Sequence, residues 1–341
     1  MGDLDVSVAG FGAAPEALLL LVAALVIDGL WPTAWRPGPA NSGLGRLFGE
    51  ATGWLERRLN RPARSQSKRL LRGAVVVAVV VVLAAALGVG FAVAVARVPF
   101  AWLAELFVLI AAISARAGWE DALAVAKALG SNAEESLSVA APLLGPDAAT
   151  MDAPALARAM IVRTGDRLAS DVIAPVFWFA LLGLPGLLVM VAVTAAARAM
   201  PEHLARFEEF GMAASRLRAA LVLLPAWLAA LLVALAAVLT PGASGARALS
   251  ALGSGGARFR ARGDSITAAA LTAAFNIAVP VLTLSKGGAA KAAARWSGDA
   301  GAVLRSSAAA DLRRVAYLYG VTVLALLAIV AALTLARFAP L

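Results

Sequence analysis

Asp166, Arg167 and Asp171 stand in DRLASDVIAPVFWFALLGLPG (Asp166 to Gly186), directly ahead of an aromatic, proline-broken apolar run. Two carboxylates five residues apart with a guanidinium beside the first could hold a hard cation, take a proton from a nucleophile or bind phosphate. Read as structure, the same residues are a helix entrance with an N-cap acid and a salt-bridged surface. Asp28 ends the apolar run Ala17 to Ile27, where an ionisable group is costly. It is either a site carboxylate or an interfacial acid closing a short helix. Glu105 falls inside another apolar stretch, with Arg97 and Arg116 as the nearest basic residues, and reads as a structurally paired acid. His203 neighbours Glu202 in PEHLARFEEF and reads as a plain loop histidine. GSGGARFRARGD and SKGGAAK offer glycines and cations without the G-x-x-x-x-G-K-[ST] spacing of a phosphate loop, so they read as flexible basic loops.

The chain around these groups is made for lipid. Of its 341 residues 61% are hydrophobic and only 15% charged, far more apolar surface than one soluble core would bury. The absence of cysteine excludes disulfides, thiolate nucleophiles and Cys-ligated metals, and one histidine excludes a His-rich centre. Any metal would be a hard cation on oxygen ligands. The net charge of +9 lies beside apolar segments, as topology signals do, and argues against nucleic acid. No cleavable leader is expected, because the first apolar run follows Glu16 rather than basic residues.

The expected architecture is all-α, a polytopic helical membrane protein with five to seven membrane segments. Gly73 to Ala96, Ala219 to Leu239 and Val315 to Leu335 are long and clean enough to span. Val98 to Ala115 is shorter, and Val172 to Ala197 carries Pro175 and Pro185, which predict a kink or break. Ala17 to Ile27 is too short to span unaided. Ile266 to Leu284 is Thr-rich, has basic residues on both sides and reads as re-entrant within a basic region, 241–314. Between Trp31 and Arg72 nine Lys or Arg face two acids, which makes that loop cytoplasmic, with Trp31, Trp35 and Trp54 as interface anchors. The interval 116–171 is a polar helical insert, with a capping box at Ser131 and Glu134 and a helix start at Asp152 and Pro154.

DVIAPVFWFALLGLPGL (Asp171 to Leu187), RFEEFGMAASRL (Arg206 to Leu217), LLPAWLAALLVALAA (Leu223 to Ala237) and RWSGDA (Arg295 to Ala300) occur in the order found in the adenosylcobinamide-phosphate synthases. LVIDG, then GLGRLF, and the insert APLLGPDAATMDAPALARAMI resemble the same family. These are the CobD/CbiB membrane proteins of cobalamin biosynthesis. The resemblance implies a bacterial inner-membrane protein that joins a corrinoid propionate carboxyl to aminopropanol or its phosphate, using ATP and Mg²⁺. Its partners would be a corrinoid of the adenosylcobyric-acid kind, membrane lipid and other proteins of the pathway.

The polar motifs depart from that pattern. The family's E-x-x-x-E-N-x-x-D-G falls on Val162, Asp166, Arg167, Ser170 and Asp171, and its K-A-x-N-T-x-D-S-M on Val191, Ala192, Thr194, Ala195, Ala197, Arg198 and Ala199. Its paired aspartates fall on Arg218 and Ala219. Asp28, Arg216 and Asp299 survive, and Asp166 keeps an acid where the family pattern has Glu. Losing two anionic ligands and gaining a cation is more than a Mg²⁺ held by one or two carboxylates can absorb. The expectation is therefore a degenerate or altered paralogue, with Asp166 and Asp171 as any catalytic remnant and Asp28, Arg167, Arg216, Asp264 and Asp299 as substrate contacts. The alternatives are an active synthase with ligands relocated to Asp166, Asp171, Asp264 and Asp299, and an AmpE-like sensor or accessory protein.

Overall fold

The computed structural model describes residues 15–30, 43–60, 65–95, 97–98, 100–201, 207–255, 266–277, 279–281, 295–297 and 308–338. Trp31, Trp35, His203, Asp264 and Asp299 lie outside them, as do most of the two glycine-rich basic loops. The described chain is helical apart from one short antiparallel pair, Val279–Val281 with Arg295–Ser297. Five segments are long and apolar enough to cross a membrane: Gln66–Val95, Trp102–Ala128, Ala153–Ala199, Met212–Leu239 and Ala308–Phe338. This is an all-α polytopic membrane protein, and it divides into two compact units.

The first unit comprises residues 1–114, 170–225 and 327–341. It holds α1 (Pro15–Leu30), α2 (Gly43–Leu59), α3 (Gln66–Val95), α4 (Trp102–Ala112) and α8 (Ala174–Ala199). Val76, Val77, Val80 and Ala84 recur at helical spacing on α3 and pack against Leu188, Ala192 and Ala196 of α8. Leu44, Phe48, Leu55 and Leu59 bring one face of α2 onto the same cluster.

The expected break in Val172 to Ala197 is sharper than a kink. Gly183 has φ 64 and ψ −151, inside what otherwise reads as one helix. Pro185 cannot supply the N–H that a continuing helix needs, and glycine reaches the left-handed φ without strain. The chain then doubles back, because Asp171 and Arg198 form an ion pair at 2.5 Å. A straight helix would hold residues 27 apart at about 40 Å. Segment α8 is thus a helical hairpin with arms Ala174–Leu182 and Leu184–Ala199. Its apex seats on α3, where a Cβ on Gly88 would come within 2.5 Å of the Pro185 Cα. Pro175 occupies the first turn of the first arm.

The second unit comprises residues 115–169 and 226–326. It holds α5 (Ala115–Ala128), α6 (Ala133–Leu144), α7 (Ala153–Arg167), α10 (Gly245–Ser250) and α11 (Ile266–Ala274). Helix α9 (Met212–Leu239) and helix α12 (Ala308–Phe338) each contribute to both units. Asp152 caps α7 by accepting from the Ala155 N–H at 2.8 Å. At α6 the cap is Asn132, accepting from the Glu135 N–H at 2.7 Å, and not the expected Ser131. Helix α11 is buried and only nine residues long. At 1.5 Å per residue it is about half the length a span requires. Gly165 of α7 lets it approach so closely that a Cβ there would lie 2.5 Å from the Ala268 Cα.

A polar cavity at the foot of the hairpin

The residues that join α7 to α8, Leu168–Ile173, form a π-helical segment. The helix therefore does not start at Asp166 or Asp171, and neither acid is an N-cap. Pro175 leaves the Asp171 carbonyl without its usual i+4 donor. The Ser114 N–H donates to that carbonyl at 3.1 Å, from the extended break that ends α4 at Ile113. A carbonyl orphaned by a proline thus ties the end of α4 to the π segment.

The Asp171 side chain is 7% exposed. Its Oδ1 accepts from Arg198 Nη2 at 2.5 Å and from Ser170 Oγ at 2.9 Å. Arg198 comes from the far end of the hairpin, so the pair clasps the two arms at their base. In the family pattern these positions are Gly and Ser; the two departures face each other, and each charge neutralises the other.

Beside this clasp lies a cavity of about 440 Å³, lined by α2, the end of α4, the π segment and the second arm. Gly45, Gly49 and Gly53 of α2, spaced one turn apart, make one wall. A Cβ on Gly49 would meet nothing within 4 Å, so this wall is bare. Arg57 lies along it, its Nη1 3.5 Å from where a Gly53 Cβ would be, and has no ion-pair partner among the described residues. Arg46 and Glu50 line the mouth and pair with each other at 2.8 Å.

Thr194 faces the cavity from the second arm, 5% exposed, and its Oγ1 has no hydrogen-bond partner among the described residues. Helical threonines usually return the hydroxyl to the i−4 carbonyl. Thr164, Thr240, Thr322 and Thr334 do so here at 2.7 to 2.9 Å. A buried hydroxyl with no partner costs about 1–3 kcal/mol. Thr194→Val is therefore expected to leave the unfolding midpoint unchanged or raise it, while Thr322→Val loses about 1 kcal/mol. Equal losses in denaturant titrations of the two variants would contradict the assignment.

Of the nominated residues that the structure describes, only Asp171 lines this cavity. Asp166 is half-buried on α7, and Arg167 is buried there against Asp121 of α5, both within the second unit. Asp28 is fully buried in α1 but does not line the cavity, and Arg216 is exposed on α9. Arg116 pairs with Glu120 of its own helix at 2.5 Å. Arg57, Thr194 and Arg198 were not nominated. The signal for Arg198 was a single charge at the end of a long apolar run, which topology alone also explains.

The described lining does not fit a divalent cation. Its carboxylates among the described residues are Glu50 and Asp171, each already paired with arginine. Among the described residues no three His, Cys, Asp or Glu side chains converge on a point, and a hard cation needs several oxygen ligands. What the lining presents is hydrogen-bond donors.

The chain is similar to the family whose sequence model is described as CobD/Cbib protein, over residues 21–283. It is 32% identical over 238 residues to the cobalamin biosynthesis protein CobD of a Sinorhizobium species, covering 67% of this chain and 72% of that protein. The CobD of Rhizobium meliloti (strain 1021) is 30% identical over 254 residues, covering 68% and 72%. The CobD of Brucella anthropi is 28% identical over 237 residues, covering 65% and 69%. No solved structure matches the chain.

Proposed function

The chain belongs to the CobD/CbiB family of cobalamin-biosynthesis proteins, and from that premise we propose that it is an altered paralogue without synthase activity. In this reading it sits in the bacterial inner membrane and receives an anionic arm of a corrinoid of the adenosylcobyric-acid kind. The observation that carries the reading is the imbalance of the cavity's polar groups. Both carboxylates are occupied by Arg46 and Arg198, while Arg57 and the Thr194 hydroxyl stay available as donors. A carboxylate or phosphate, which only accepts, matches that surplus. A volume of about 440 Å³ lies at the lower end of small-ligand pockets; it suits a peripheral arm of a corrinoid and leaves the macrocycle outside. Mg²⁺ has no place in this reading, because each carboxylate of the described lining is already paired with arginine.

Two measurements test it. The purified chain is expected to retain an adenosylcobyric-acid-type corrinoid through gel filtration, and Gly49→Leu, which fills the bare wall, to abolish retention. In a strain deleted for the amide-forming step, the chain is expected not to restore growth on such a precursor. Restored growth would overturn the non-catalytic reading. Failure of the wild-type chain to retain the corrinoid would overturn the binding reading and leave a sensor or accessory role.

A further inference from the structure

Helix α2 has three faces. Leu44, Phe48, Leu55 and Leu59 pack on the core of the first unit, and the glycine face lines the cavity. The third face carries Leu47, Ala51, Trp54 and Arg58, spaced as one helical stripe, and all four are exposed. Leu47 is 64% and Trp54 49% exposed. The Arg58 guanidinium lies over the Trp54 ring, 4.2 Å from its centroid, a contact that holds a cation beside an apolar surface.

The end of this stripe lies at the start of a lipid-length run. Arg72 Nη1 donates to the Leu59 carbonyl at 3.4 Å, which fixes the last turn of α2 beside the first turns of α3. Gly73, the next residue, opens the apolar part of α3, which runs to Val95, about 35 Å of helix. The α2–α3 junction is therefore at the boundary between lipid and water. Its charge is positive. Arg69 is neutralised by Glu209 at 2.9 Å, but Arg58 and Lys68, both exposed, have no ion-pair partner among the described residues.

We propose that the α2–α3 junction binds the headgroup of an anionic membrane lipid, with Arg58 and Lys68 against its phosphate and the Leu47–Trp54 stripe along its acyl chain. Tryptophan at the headgroup level, arginine stacked on it and a second cation one short loop away are what such a lipid requires. The site is separate from the cavity and does not rest on the corrinoid reading.

The test uses the full chain. Native mass spectrometry of the detergent-solubilised protein, titrated with phosphatidylglycerol and with phosphatidylcholine of the same acyl chains, is expected to show preferential retention of the anionic lipid. Arg58→Gln with Lys68→Gln removes two cations and is expected to weaken that retention about thirty-fold. Because the chain has no cysteine, Leu47→Cys can carry a single bimane label in nanodiscs. Quenching of that label by brominated lipid, with little quenching by aqueous iodide, is the expected result. Equal retention of the two lipids by the wild type, retention unchanged in the double variant, or a label quenched mainly by iodide would each overturn the proposal.

Discussion

With Asp171→Cys and Arg198→Cys introduced together into this cysteine-free chain, a short bismaleimide is expected to join the two thiols within one molecule. Intact mass would show one added reagent with both thiols consumed. The expectation follows from the clasp between the arms, where the native side chains meet at 2.5 Å. Were 168–199 a single straight helix, the thiols would stand about 40 Å apart and each would take its own reagent. Two added reagents per chain would remove the hairpin and the cavity at its foot. The paired substitution leaves no orphaned charge, so the chain should fold well enough to be read.

Arg198→Ala alone is expected to be the most damaging single substitution in the first unit. It takes the arginine away from the Asp171 carboxylate, which is 7% exposed and also accepts from the Ser170 hydroxyl at 2.9 Å. Removing one partner of a buried pair costs about 3–5 kcal/mol. The lower figure applies, since the Arg198 side chain is 42% exposed and part of the pair's attraction is screened. Adding Asp171→Asn to Arg198→Ala should recover most of the loss, because an amide is far cheaper to bury than a carboxylate that has lost its arginine. Asp171→Asn alone should cost about 1 kcal/mol, as water can still hydrate Arg198. Denaturant unfolding in detergent reads all three. A double variant no more stable than Arg198→Ala would show that the arginine acts through packing rather than charge.

The helical membrane frame was legible because lipid-length runs of Val, Ala and Leu have few other uses. Asp171 was legible for a related reason, being an acid at the edge of such a run. The reversal at Gly183 was not. Pro185 announces an interruption, but the direction of the chain beyond it is set by Gly88, which lets the apex settle on α3. That contact is remote in sequence, and so is the pairing of Asp171 with Arg198. Asp166, five residues before Asp171 in sequence, falls in the second unit and is not part of the cavity's described lining. The capping box at Ser131 shifted by one residue because Asn132 also caps well. Thr194 could have been singled out only by knowing that Thr164, Thr240, Thr322 and Thr334 bond to their own helices.

Gly45, Gly49 and Gly53 have one more consequence. Glycine inside a helix is less stable than alanine by about 0.5–1 kcal/mol, and at Gly49 an added methyl would touch nothing. Natural selection for a sturdier fold would therefore drive this wall toward alanine, then toward bulkier residues, one codon change at a time. The hollow and the scaffold around it answer to different pressures, and a lineage could lose the first while the second grew stronger.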